Sequence, residues 1–115
     1  MEAGMAKYGT IEFAGASGAS YMFTAYSRDT NFNAVGAVYF VTKRSPNGPG
    51  RFSHAEIYVG ETGDLSDRPL NHHRKDCFDR NGANCVCVLT ESDRNRRLYI
   101  EADIRQKHEP PCNRQ

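Results

Sequence analysis

Two short runs of β-branched and aromatic residues, AVYFVTK at 37–43 and AEIYVGE at 55–61, flank the loop RSPNGPG. Runs of this length and composition suit strands rather than helices. The two prolines and two glycines in the seven-residue loop break the chain between them. The runs are therefore expected to pair as an antiparallel hairpin, over a connection long for one. A third run, CVCVL at 85–89, alternates Cys85 and Cys87 with Val86 and Val88 as the two faces of a strand would. At the N-terminus Ile11 and Phe13, then Tyr21, Phe23 and Ala25, alternate with polar neighbours around a Gly/Ser turn at 15–20, the pattern of a further hairpin. At 115 residues the chain has material for one core only.

After Gly63 the period changes. An irregular turn is expected at 64–67 and a helix from about 67 to 75, with Pro69 near its start where a missing N–H is harmless. CFDRNGAN at 77–84 reads as a loop. TESD at 90–93 is a cap signal, followed by a helix in which Leu98, Ile100, Ala102 and Ile104 recur at helical spacing, with Glu101 at the stripe's border. Pro110 and Pro111 end it. The expectation is an α+β fold: a small antiparallel sheet of three core strands plus an N-terminal hairpin, flanked by helices. Residues 1–115 form a single domain, with 1–35 an N-terminal extension and 36–113 the core.

Charge excludes one class of partner. Fifteen basic and 14 acidic side chains leave a formal charge of +1, so this is not a strongly basic scaffold for non-specific nucleic-acid binding. The charge is uneven: residues 1–67 carry −2 (5 basic, 7 acidic) and residues 68–115 carry +3 (10 basic, 7 acidic). No stretch approaches the roughly 18 apolar residues of a membrane helix, and the N-terminus lacks a secretory leader's pattern. The expected setting is cytoplasmic, with Cys77, Cys85, Cys87 and Cys112 reduced. Cys85-x-Cys87 lacks the gap of a zinc knuckle. A three-ligand zinc site drawn from the cysteines with His54, His73 or His108 is open to the chain but lacks regular spacing.

The informative set is dispersed: AVY at Ala37–Tyr39, YVG at Tyr58–Gly60, Leu65 and Arg68 in GDLSDR, His72, Glu101, and KHEPPCN ending at Asn113. In this order the set resembles the GIY-YIG nuclease domain, the module of homing endonucleases, some restriction enzymes and the N-terminal nuclease of bacterial excision repair. The resemblance covers residues 36–113. No single tripeptide is specific; the ordered set is. The departures are Ala37 at the leading glycine, a longer loop between the motifs, Glu61 where the repair nucleases often have lysine, and Pro69 directly after the arginine.

The resemblance implies metal-dependent phosphodiester hydrolysis of DNA. Glu101 would ligate Mg²⁺, with Mn²⁺ fitting the same oxygens. Arg68 would bind phosphate through its planar paired donors. Tyr39 would act as general base or position the attacking water. A phenol has a pKa of about 10 and needs a nearby cation to serve, so His72, one helical turn from Arg68, is the rival base. Tyr58 would orient phosphate, Gly60 would permit a close backbone approach, and Asn113 would brace the C-terminal loop against the core. Lys43, Arg44 and Arg51 are candidates for DNA backbone contacts. Each has a plainer structural reading: Glu101 and Arg68 as solvated helix residues, Tyr39 and Tyr58 as paired strand aromatics, the basic residues as a solvated face. Two other functions compete: a nucleic-acid-binding or regulatory module without turnover, and a protein-binding module in which residues 1–35 lend an edge strand. The expected assembly is a monomer or weak dimer.

Overall fold

A computed structural model describes residues 7–67 and 74–113. Five strands, β1 (Lys7–Ala14), β2 (Ser20–Ser27), β3 (Ala37–Pro46), β4 (Phe52–Thr62) and β5 (Cys85–Thr90), form one antiparallel sheet in the order β1-β2-β5-β3-β4. The fold is α+β. The expected hairpin of β3 and β4 is present, and the N-terminal hairpin belongs to the same sheet, because β2 pairs with β5 from Thr24↔Val88 to Ser27↔Cys85. β5, the most continuously apolar run, is central, as burial on both faces demands. The Pro/Gly loop is shorter than its sequence suggests. Both strands extend into it, and the turn closes where Asn47 N–H donates to the Arg51 carbonyl at 2.9 Å, with Gly48 at φ 101°.

Alternation along β3 assigns the two faces. Val38 and Phe40 join Phe13, Phe23, Val59, Cys85 and Cys87 in one core layer, closed by Ile100 and Ile104 of α2 (Arg94–Lys107). Ala37, Tyr39 and Val41 join Ile57, Leu65, Phe78, Val86 and Cys112 in the other, closed by the short α1 (Lys75–Arg80) and by 3-10 turns at Leu65–Asp67 and Pro111–Asn113. The sheet curls around α2, and Phe13 of edge strand β1 stacks on Phe40 of β3 at 4.1 Å. His108, just beyond α2, ties the curl together. Its Nε2 lies 2.8 Å from the Ala14 carbonyl of β1 and its Nδ1 lies 3.0 Å from Glu56 of β4.

Three expectations are corrected, and a fourth lies outside the described residues. The segment read as a loop from Cys77 begins within α1, because Cys77 and Phe78 are buried against the sheet. The helix expected at 67–75 falls mostly in 68–73, outside the described residues. In α2 the buried positions are Arg97, Ile100, Asp103 and Ile104, while Leu98 and Ala102 are exposed. Two polar residues take the inward stripe because both have partners. Arg97 donates to Glu61, Glu91 and Ser92, and Asp103 accepts from Ser17 and from the Tyr21 hydroxyl. The cap signal does hold: Asp93 accepts from the Asn95 N–H at 3.0 Å. Lastly, the cysteines are not all reduced. Cys77 and Cys112 form a disulfide that links α1 to the C-terminal 3-10 turn, while Cys85 and Cys87 are free and buried.

Candidate functional site at strand β4

Tyr39 and Tyr58 come together. Both lie on the α1 face, from adjacent strands β3 and β4, with ring centroids 6.1 Å apart, and Phe78 of α1 stands 5.5 Å from Tyr58. Tyr39 is almost wholly buried and Tyr58 partly so. The strand pair Tyr39↔Gly60 explains the glycine. A Cβ at position 60 would lie 2.7 Å from Tyr58 Cε2 and 3.0 Å from Tyr39 Oη. The absent side chain therefore lets the Tyr39 hydroxyl lean over β4, one of the sheet's two edge strands among the described residues.

Glu101 lies on the other face. Its helix packs on Val38, Phe40 and Val59, whose side chains point opposite to Tyr39. Tyr39 and Glu101 therefore stand on opposite faces of the sheet, with β4 running between them. The reason is strand parity. α2 covers the even-numbered side chains of β3, and the motif tyrosine is odd-numbered. Both groups nevertheless address the same stretch of β4. Tyr39 Oη lies over Gly60, and Glu101 senses the charge of Glu61, the next residue, which faces α2.

Burial pushes the Glu101 carboxyl above the usual carboxylate range; Arg105, 4.0 Å away, opposes this, and the Glu61 charge adds to it. Glu61 is already bound by Arg97, Nε to Oε1 at 2.9 Å. Glu61 was read from sequence only as a departure from the family pattern. Its closeness to Glu101 depends on α2 lying across β4, which no local signal encodes. The two carboxylates are thus electrostatic neighbours across the α2–β4 contact, one of them held by Arg97.

Arg68 and His72 lie outside the described residues. The described chain on either side of them, Leu65 and Cys77, belongs to the Tyr39 face. Asn113 is the brace expected of it: its Oδ1 accepts from the Val59 N–H at 2.8 Å and its Nδ2 donates to the Val59 carbonyl at 2.9 Å, pinning the C-terminal turn to β4. Lys43, Arg44 and Arg51 sit toward the far end of the β3–β4 hairpin, Arg44 being five residues, or roughly 16 Å, along the strand from Tyr39. Arg44 is clasped by aromatic rings, 3.5 Å from the Phe52 centroid and 4.1 Å from that of Tyr8. Lys43 and Arg51 are exposed. A surface hollow of about 760 Å³ is lined by Ala34, Gly36, Glu91 and Arg97 among others, and by none of the candidate site residues.

No helix among the described residues is long and apolar enough to cross a membrane. Comparison with family models, curated proteins and solved structures found no match to the chain.

Proposed function

We propose that the chain is a metal-dependent phosphodiester hydrolase that nicks DNA, with a site that straddles strand β4 rather than filling a cleft on one face. The observation that carries this reading is the convergence on Gly60 and Glu61: the Tyr39 hydroxyl leans over one, and the charge of the other acts on the Glu101 carboxyl. A phosphate at the strand's edge meets groups from both faces there. Cleavage needs a water that loses its proton, neutralisation of the charge building on phosphorus, and stabilisation of the leaving oxygen. Tyr39, or His72 in its place, takes the water's proton or orients the water. Tyr58 orients the phosphate, and Arg68 offsets its charge. Glu101, with Glu61 beside it, would hold Mg²⁺ or Mn²⁺, which when bound supplies Lewis-acid stabilisation of the phosphate and leaving oxygens.

The test is nicking of supercoiled plasmid by the intact protein and by Glu101→Ala, each with Mg²⁺ and with EDTA. The reading expects nicking that needs the ion and is lost in Glu101→Ala. Equal nicking by both proteins, or none by the intact one, overturns it. One observation favours a second reading, a non-catalytic nucleic-acid-binding or regulatory module: β4 separates Tyr39 from Glu101. Salt-dependent DNA retention without cleavage in any divalent metal would select it.

A further inference from the structure

A cluster remote from Gly60 uses residues that the nuclease reading leaves idle. His54 of β4 and Cys85 and Cys87 of β5 bring one imidazole nitrogen and two sulfurs within 4.8 Å of one another. The register explains how. Thr42 on the intervening strand β3 pairs with Cys85 on one side and Glu56 on the other, while Arg44 pairs with His54. All these side chains point to the α2 face, so residues 31 and 33 positions apart in sequence converge across β3. Both thiols are fully buried and free, while His54 reaches the surface.

We propose that His54, Cys85 and Cys87 form a binding site for a thiophilic divalent cation of the zinc class. The donor set is the right one for it: two thiolates cancel the ion's charge, and a neutral imidazole completes a soft three-ligand set. Tetrahedral zinc with Zn–S bonds of about 2.3 Å sets its ligands roughly 3.8 Å apart, so the cluster needs only a small contraction. Thr42 Oγ1 lies 2.9 Å from His54 Nδ1 and fixes the ring. Thr42 is also the cross-strand partner of Cys85. Ion binding displaces the thiol protons to solvent. Three protein ligands leave a fourth position. His54 forms one wall of a surface hollow of about 220 Å³, shared with Tyr8, Thr10, Ile11, Arg44 and Phe52, which opens the imidazole side of the cluster to solvent. This site is separate in place and in donor chemistry from the carboxylates at β4.

The probe is Co²⁺, titrated into full-length protein in which thiol counting under denaturing conditions has found two free thiols. The expected result is one equivalent bound, with a near-ultraviolet thiolate-to-cobalt charge-transfer band that Zn²⁺ displaces. The same band is expected in Cys77→Ser/Cys112→Ser, which excludes the other cysteine pair. Cys85→Ser/Cys87→Ser abolishes it, and His54→Gln, altered at the surface, weakens binding while leaving the fold intact. Thr42→Val is expected to weaken binding about 10- to 100-fold. No band in the intact protein, or a band that survives in Cys85→Ser/Cys87→Ser, overturns the proposal. Neither result bears on plasmid nicking.

Discussion

One face of the sheet is sealed by a 14-residue helix over a stack of phenylalanines; the other is sealed by a six-residue helix, two 3-10 turns and a disulfide. The α2 face has apolar contact in depth, with Phe13, Phe23 and Phe40 meeting ring to ring at 4.1–6.5 Å. The α1 face has short cover elements that could not hold themselves in place. α1 has no side-chain cap and buries only Cys77 and Phe78, far from self-sufficient for a helix of its length. Here a crosslink and the Asn113 brace do what helix length does on the other side. The candidate tyrosines lie under the thinner cover, and the candidate carboxylate lies at the margin of the thicker one.

The contrast can be broken by mutation. Phe40→Ala, which empties the centre of the phenylalanine stack, is expected to lower unfolding free energy by about 3–5 kcal/mol, measured by urea denaturation. A loss as small as that of a surface substitution would deny the α2 face its dominance. Next in size, Cys77→Ser/Cys112→Ser opens a crosslink between residues 35 apart and is expected to destabilise by about 2–4 kcal/mol. If amide exchange quickened on α2 as much as on α1, the staple would not be local to its face. Gly60→Ala forces a methyl against Tyr58 and Tyr39 and is expected to cost about 1–3 kcal/mol. It should also lower nicking more than Asn113→Ala does, since only the former displaces the Tyr39 hydroxyl.

The smallest effect is in pH. On the α2 face, hydrogen bonds from Ser17 and Tyr21 hold the Asp103 carboxyl below its ordinary value. Burial, and then the bond to Asp103, push the Tyr21 phenol up to about 12. The Asp103 contribution is present above the unfolded carboxylate value and lost as pH falls through the lowered one. The Tyr21 contribution is full below 10.0 and lost as pH rises toward about 12. The melting temperature should therefore fall at both extremes, and Tyr21→Phe should flatten the alkaline side. An unchanged alkaline slope in that variant would remove this anchor from the account.

Much of the sheet was legible because alternation is local. Phe13, Tyr21, Phe23 and Ala25 are buried where period-two spacing puts them, and the unbroken CVCVL run marks the central strand. The start of α2 was legible from Asp93. Its inward stripe was not, since Arg97 and Asp103 look solvent-facing until partners 36 and 86 residues away are known. α1 was missed for want of any periodic signal. The disulfide was hidden because four cysteines offer six possible pairs for a single crosslink and nothing local selects Cys77 with Cys112. At the candidate site, the Tyr39–Tyr58–Gly60 grouping follows from the hairpin register that the two motifs imply. The placement of Glu101 does not, because the face a helix covers is set by the whole topology.

The shared phosphate at β4 is tested most directly by a double-mutant cycle of Tyr39→Phe and Glu101→Gln, read as single-turnover nicking rates. Loss of a general base or its equivalent is expected to slow nicking by about 10²–10⁴-fold. If both groups act on one phosphate, the double variant should be little slower than the worse single one, because the second loss finds nothing left to disable. Losses that multiply in full, or a Glu101→Gln protein that nicks at the intact rate, would contradict a single site straddling the strand.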